Sequence, residues 1–352
     1  MYAKRLQSSL VELDKTLRKQ FEGKTVVVTG GTGSIGTLIV RRLLELSPRV
    51  VRVFSNDENG QFFLQQSLKK YDNIRFLVGD IRDKDRLARA FENCDIVFNA
   101  AALKHVPLCE YNPFEAVKTN VLGTQNVLDA ALQANVSQVA HISTDKVVNA
   151  INTMGATKLL SEKLVVAANH YKGMRDISFF CVRLGNVLGS QGSLLHLLID
   201  QLRREETPAI TDPRMTRFIV SKARVVDTIL RTCTITKSGE IFVLKMPAVN
   251  VMDLLEVIIE EIQPHIQNQK KPIKIERTGK RVGEKLHEEL MTKYEYERAV
   301  ELEDMYIIPS ELEKHEIIPK PIAELSSEFV PKMSKEAIRK IIKEILPEFM
   351  NL

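Results

Sequence analysis

Cysteine is scarce in this 352-residue chain, and its four copies, Cys94, Cys109, Cys181 and Cys233, lie far apart with no CxxC spacing. That spacing excludes the usual signatures of a zinc site or a disulfide framework, so no metal is expected. Reduced thiols fit a cytoplasmic location. No apolar run approaches the roughly 20 residues needed to cross a bilayer, and the first residues lack the apolar centre of a signal peptide. Neither charge dominates: 50 Lys and Arg stand against 45 Asp and Glu, a net +5. The two signs are interspersed, so nucleic acid is not an expected partner. Internal repeats and low-complexity stretches are also missing. What is present is an ordinary globular composition, 44% hydrophobic, which can fill a sizeable core. At roughly 100–200 residues per domain, the length predicts two domains or one with a large extension.

Leu6, Leu10, Leu13 and Leu17 recur on one face of a basic helix spanning residues 1–21. Its expected role is packing on the domain or on a second copy; membrane contact through Lys4, Arg5, Lys15, Arg18 and Lys19 is the lesser reading. From Lys24 onward, short β-branched runs alternate with helical patterns. The expected strands are Thr25–Thr29, Val50–Ser55, Ile74–Val78, Asp95–Asn99, Gln138–Ser143 and Ser178–Leu184, with Ile241–Leu244 joining later. Such alternation predicts a Rossmann-type, doubly wound α/β fold with a parallel sheet. After Asn186 the pattern becomes mixed and Pro-punctuated. Residues 22–186 plus about 219–247 are therefore assigned to the dinucleotide-binding domain, and about 187–218 plus 248–352 to a smaller substrate domain.

Gly30-Gly31-Thr32-Gly33-Ser34-Ile35-Gly36 follows the first strand and opens a helix. Glycines there permit a tight turn and close approach of backbone to a pyrophosphate, which the helix N-terminus attracts. Gly30, Thr32, Gly33, Ser34, Ile35 and Gly36 are thus cofactor candidates. The second strand ends in Ser55-Asn56-Asp57 rather than in an acid that would hold a ribose diol. The choice tilts slightly toward NADP and leaves NAD open.

The glycine spacing resembles the extended short-chain dehydrogenase/reductase superfamily. That resemblance implies cofactor contacts from Asp80 and Ile81, from Ala100, Ala101, Ala102 and Lys104 beside the fourth strand, and from Asn120, with Lys158 on the nicotinamide ribose. The superfamily's usual catalytic motif is a tyrosine, three residues, then a lysine. Here Met154 stands at the tyrosine position before Lys158, and a thioether cannot act as a base.

Further motifs are similar to those of the polysaccharide-biosynthesis UDP-N-acetylglucosamine 4,6-dehydratases. They are Ala101–Pro107, Glu110–Pro113, Ser143–Lys146, Arg183–Ser190, Thr211–Phe218 and Gly283–Leu290. A branch of that family carries methionine in place of tyrosine. The resemblance runs from about Gly23 to Ser310. It implies a bound nicotinamide cofactor regenerated each turnover, a nucleotide-sugar substrate and a homodimer or higher homo-oligomer. It also implies roles: Thr144 accepts or relays the O4 proton, Asp145 protonates the leaving C6 hydroxyl, and Lys146 removes the C5 proton, which requires a depressed amine pKa. Lys104, His105, Asn186, Arg217, Arg281 and Glu284 are the implied substrate contacts. The alternatives are a nucleotide-sugar epimerase, a GDP-sugar dehydratase, an enzyme that eliminates without returning hydride, and a non-catalytic nucleotide-binding module.

Overall fold

A computed structural model describes residues 10–265, 273–310 and 325–350; Lys4, Arg5 and Leu6 of the N-terminal pattern lie outside them. The described part of that helix, Leu10–Phe21, buries Leu17 and Phe21 in the main core and leaves Lys15, Arg18 and Lys19 exposed. It packs against the helix Lys222–Ile235. Arg42 bridges the two helices, reaching Asp14 at 2.9 Å and Asp227 at 2.8 Å.

Among the described residues the main sheet has nine strands: β1 Thr25–Thr29, β2 Val50–Ser55, β3 Ile74–Val78, β4 Ile96–Asn99, β5 Gln138–Thr144, β6 Ser178–Leu184, β7 Ile241–Leu244, β8 Val300–Glu301 and β9 Met305–Ile308. Their spatial order is β8-β9-β7-β6-β5-β4-β1-β2-β3. From β7 to β3 every pairing is parallel. This part is the Rossmann-type sheet that the alternating pattern predicts. The antiparallel edge made by β9 on β7 and β8 on β9 is not in that prediction. Strands β1 and β4 are buried along their whole length, as expected where helices cover both faces of a parallel sheet. The chain leaves β1 for β2 on one side and later fills β4 on the other. That reversal opens a crevice beyond the carboxyl ends of the strands, where ligands bind in such sheets.

A second core forms beside the first. Leu195, Leu198 and Leu202 of the helix Leu194–Arg203 pack with Leu255, Ile258 and Ile262 of Val251–Ile262 and with Ile338 and Ile342 of Lys335–Ile345. A small sheet of Asn186–Val187, Thr216–Val220 and Ala248–Asn250 adjoins it. Among the described residues, no helix is long and apolar enough to cross a membrane.

Candidate active site

The crevice is a cavity of about 820 Å³. Gly30, Thr32, Gly33, Ser34, Ile35 and Gly36 line one end, with Ser55, Asn56, Asp57, Asp80, Ile81 and Ala100–Ala102. Gly30 has φ of +61°, and a side chain there would come within 2.7 Å of the Ala101 backbone. Only glycine keeps this turn and leaves the backbone exposed to a ligand. The helix Ser34–Leu44 begins with no side-chain cap, so its first N–H groups are open to an anion. The pyrophosphate-shaped cradle and its small-residue wall fit a dinucleotide.

One arginine missed in sequence stands at this end. Arg82 lines the cavity and grips Asp80 at 2.7 Å, while Asn56 donates to Asp80 at 3.1 Å. Asp57 is committed to the backbone: it caps the helix Glu58–Ser67 by accepting from Gly60 N at 2.9 Å. Asn120 requires a correction. It does not line the cavity; its buried amide binds Leu103 N and O and Thr157 Oγ1. It is a buttress for the Ala102–Lys104 loop, placed in the π-helical turn Val117–Leu122.

At the other end, Thr144, Lys146, Met154 and Lys158 share the cavity wall. The helix Thr153–Tyr171 starts hard against the turn after β5. Asn152 caps it through Gly155 N, and a Cβ on Gly155 would lie 2.4 Å from Lys146 O. Glu110 accepts from Thr153 N and fixes the same helix start. That packing brings Met154 and Lys158 to the carboxyl end of β5. Met154 is buried with Cys109 and Ala116.

Asp145 is fully buried just behind this wall. Its Oδ1 accepts from Thr144 Oγ1 at 2.9 Å and Lys146 Nζ at 3.0 Å, while its Oδ2 has no partner. Lys146 also donates to Asn186 Oδ1 at 3.0 Å and faces Glu288 Oε1 at 3.8 Å. The expectation of a depressed Lys146 pKa is overturned for this state. Burial pushes it down, but Asp145 and Glu288 outweigh that and hold it above its ordinary value. Glu288, itself pushed up by burial, comes from the Gly283–Leu290 motif, where its sequence position carries no sign of this contact.

Lys158, unlike Lys146, is depressed. Burial brings its pKa down to about 8. Its amine donates to Ile142 O at 2.6 Å and meets His141 Nε2 at 2.9 Å. His141 Nδ1 meets Asn99 Nδ2 at 3.0 Å, and Thr29 donates to Asn99 Oδ1 at 2.6 Å. This buried polar chain crosses β1, β4 and β5. Burial, and then the charge of Lys158, hold His141 well below its ordinary pKa, so it is neutral. Its position inside a strand gave no sign of contact with Lys158.

Lys104 and His105 line the same cavity beneath the loop Ser190–Ser193, and Lys104 donates to Gln191 O at 2.7 Å. Burial lowers the pKa of both. Arg217, Arg281 and Glu284 sit in an adjoining cavity of about 530 Å³, and Asn186 lines both. Arg217 is tethered to Lys285 O at 2.9 Å and Leu286 O at 3.1 Å. The segment Gly283–Leu290 thereby lies across the turn after β5, with Lys285 on Val148 O and Asn152 on Gly283 O. Among the described residues, no cluster of His, Cys, Asp and Glu is arranged to hold a metal ion.

Residues 26–310 match the polysaccharide biosynthesis protein family. An uncharacterized membrane protein of Methanocaldococcus jannaschii is 49% identical over 92% of this chain and 97% of its own. A UDP-N-acetylglucosamine 4,6-dehydratase (inverting) of Campylobacter jejuni is 39% identical over 82% of this chain and 83% of its own. A UDP-glucose 4-epimerase of Rickettsia bellii is 40% identical over 82% and 84%. Among solved structures, Pen from Bacillus thuringiensis superposes with a TM-score of 0.87 at 43% identity, covering 92% of this chain and 98% of that one.

Proposed function

The chain belongs to the polysaccharide-biosynthesis protein family, and from that premise we propose that it is a nucleotide-sugar 4,6-dehydratase. Its substrate is a UDP-N-acetylhexosamine, with UDP-N-acetylglucosamine first, and its product the 4-keto-6-deoxy sugar. The observation that carries this reading is the Asp145–Lys146 pair, with Lys146 on the cavity wall and Asp145 buried directly behind it. Dehydration needs a base for C5 and an acid for the C6 hydroxyl, whereas epimerisation at C4 needs neither. The Campylobacter relative supports it. The Rickettsia relative makes epimerisation the second reading.

The nicotinamide, when bound, takes hydride from sugar C4 and returns it to C6. Gly30–Gly36 and Ala100–Ala102 would hold the dinucleotide, with Lys158 on its ribose. NADP is preferred to NAD, because β2 ends without a free acid and Arg82 stands beside Ser55 and Asn56 in the wall. Lys104, His105 and Asn186 would orient the sugar, and Arg217, Arg281 and Glu284 the nucleotide, where a guanidinium offers a fork of donors to phosphate. Met154 covers the reacting face and keeps water out. Lys146 serves as the C5 base, Asp145 as the acid for C6, and Thr144 as the hydroxyl that meets O4. Four buried, unpaired cysteines are in keeping with a cytoplasmic enzyme. Exposed Phe114, Leu122 and Leu160 on its longest helical stretches suit a homodimer.

Denaturing the purified protein should release NADP, or NAD, and incubation with UDP-N-acetylglucosamine should yield a sugar lighter by one water. Protein that releases no dinucleotide, binds none when it is added and turns over no UDP- or GDP-sugar would defeat this reading.

A further inference from the structure

Lys158 stands at the end of a hydrogen-bond chain that runs in one direction. The chain begins at Ala101 N, a backbone N–H that can only donate, 3.4 Å from Thr29 Oγ1. Thr29 gives its one proton to Asn99 Oδ1 at 2.6 Å. Asn99 Nδ2 is thereby turned toward His141 Nδ1 at 3.0 Å, and an amide nitrogen has protons to give and nothing to accept with. His141 Nδ1 must then be the bare, accepting nitrogen. Burial, and then the charge of Lys158, keep the ring neutral, so its one proton is on Nε2, 2.9 Å from Lys158 Nζ. An N–H aimed at an amine is a hydrogen bond only if the amine has a lone pair, which an ammonium lacks. Lys158 itself donates to Ile142 O at 2.6 Å and lines the cavity. Thr29, Asn99 and His141 are fully buried, so solvent cannot take the place of any link.

Resting on the nicotinamide cofactor of the proposed function, we propose that His141 is a positioning residue that donates Nε2–H to Lys158, holds it as a neutral amine beside the nicotinamide, and so makes the site prefer the oxidised dinucleotide. The oxidised ring is a cation and the reduced ring is neutral. In a dry wall an ammonium would repel the first and leave the second untouched. A cofactor that begins each turnover by taking hydride must rest in the oxidised form, and a neutral Lys158 selects that form.

The groups around Lys158 are compatible with a neutral amine. From β6, burial pushes the Cys181 thiol well up, so it carries no charge. On the helix of Lys158 itself, Glu162 favours the ammonium, but Glu162 is held by Arg183 at 2.8 Å. Burial outweighs these neighbours and brings the amine down to about 8; a donor at its lone pair acts in the same direction. Lys104 and His105 face the same cavity, and burial lowers both.

Nitrogen NMR of the holoenzyme with isotope-labelled histidines reads the tautomer, and His141→Gln identifies the signals that belong to His141. At pH above the Lys158 pKa, the wild-type proton should sit on Nε2. Asn99→Asp, whose ionised carboxylate only accepts, should reverse the chain, move the proton to Nδ1 and raise the pKa of Lys158. If that variant fails to fold, Thr29→Val frees the Asn99 amide to turn and should populate both tautomers. The second readout is equilibrium exchange of oxidised against reduced dinucleotide on the protein, followed by the fluorescence of the reduced form. In wild type the preference for the oxidised form should rise roughly 5-fold or more between pH of about 6 and about 9, the lower end of coupling between two sites. Lys158→Met should flatten that rise, which separates it from the titration of Lys104 and His105. A proton on Nδ1 in alkaline wild type, or a wild-type preference that does not change with pH, would overturn the proposal while leaving the cofactor reading in place. Protein that binds neither form of the dinucleotide would overturn both.

Discussion

Two cations, one buried and one half-buried, lie close to the same sheet, each facing two carboxylates. Arg183, in β6, meets Glu162 at 2.8 Å and Glu295 at 2.9 Å, and donates to Leu290 O as well. Burial pushes its pKa down, but the two carboxylates prevail and raise it. Lys146, just past β5, meets Asp145 at 3.0 Å and Glu288 at 3.8 Å, yet Asp145 Oδ2 and Glu288 Oε2 are left without hydrogen-bond partners. The first cluster is closed. It ties β6, the helix Thr153–Tyr171 and the helix Lys293–Tyr296 together, and its hydrogen bonds offset the desolvation of three charges. The second is open toward a cavity and keeps acceptors in reserve. Charge is alike in both clusters; full burial of Arg183 and hydrogen-bond closure separate a structural clamp from a chemical site.

Exchanging the charges one at a time sharpens that contrast. The largest effect should come from Lys146→Ala, with turnover falling by about 10⁴-fold, the upper scale for a general base. Bound dinucleotide should stay near wild type, and melting temperature should fall less than in a clamp variant, because Lys146 lines the cavity and water can take its place. A comparable loss of stability would place Lys146 with the clamps. Arg183→Met should do the reverse and lower unfolding free energy by about 3–5 kcal/mol, because it strands two buried carboxylates. Denaturant titration reads the loss, and the fraction still folded should turn over normally.

A smaller effect attaches to Lys158. Its native pKa is about 8, below the value of about 10.4 expected in the unfolded chain. Between these values the unfolded state holds a proton that the native state has released, so stability should rise with pH across this window. Melting temperatures of wild type and Lys158→Met, measured from pH 7 to about 10.4, should therefore diverge in favour of wild type as pH rises. Parallel curves would show that the amine is not depressed. The smallest effect belongs to Met154→Leu, a near-isosteric change that should cost about 1.5 kcal/mol or less and keep most of the turnover. An inactive, folded Met154→Leu would give the thioether a chemical role.

The sheet was the most legible part of the chain. β1, β2, β3, β6 and β7 fall on the expected residues because β-branched, aromatic and other apolar residues dominate each short run. β8 and β9 escaped notice, being two and four residues long and set among polar loops. The glycine turn and the Thr144–Lys146 edge were legible for another reason: their residues are neighbours in sequence, and local spacing carries the chemistry. What stayed hidden depends on distant chain segments meeting. Nothing near Glu288 announces Lys146, nothing near His141 announces Asn99 and Lys158, and Asn120 looks the same in sequence whether it touches a cofactor or a loop. The depressed lysine was misassigned for the same cause, since only the fold shows that Lys146 has two carboxylates around it and Lys158 has a neutral imidazole.

The central claim is that hydride leaves C4, returns to C6, and is separated by loss of water. UDP-N-acetylglucosamine carrying deuterium at C4, turned over by the holoenzyme and analysed by mass spectrometry and NMR, follows those events together. The account predicts a product lighter by one water with the deuterium on C6. A product of unchanged mass with deuterium still on C4 and that centre inverted would mark an epimerase. A dehydrated product without deuterium would mark elimination with no hydride return, and either result would contradict the claim.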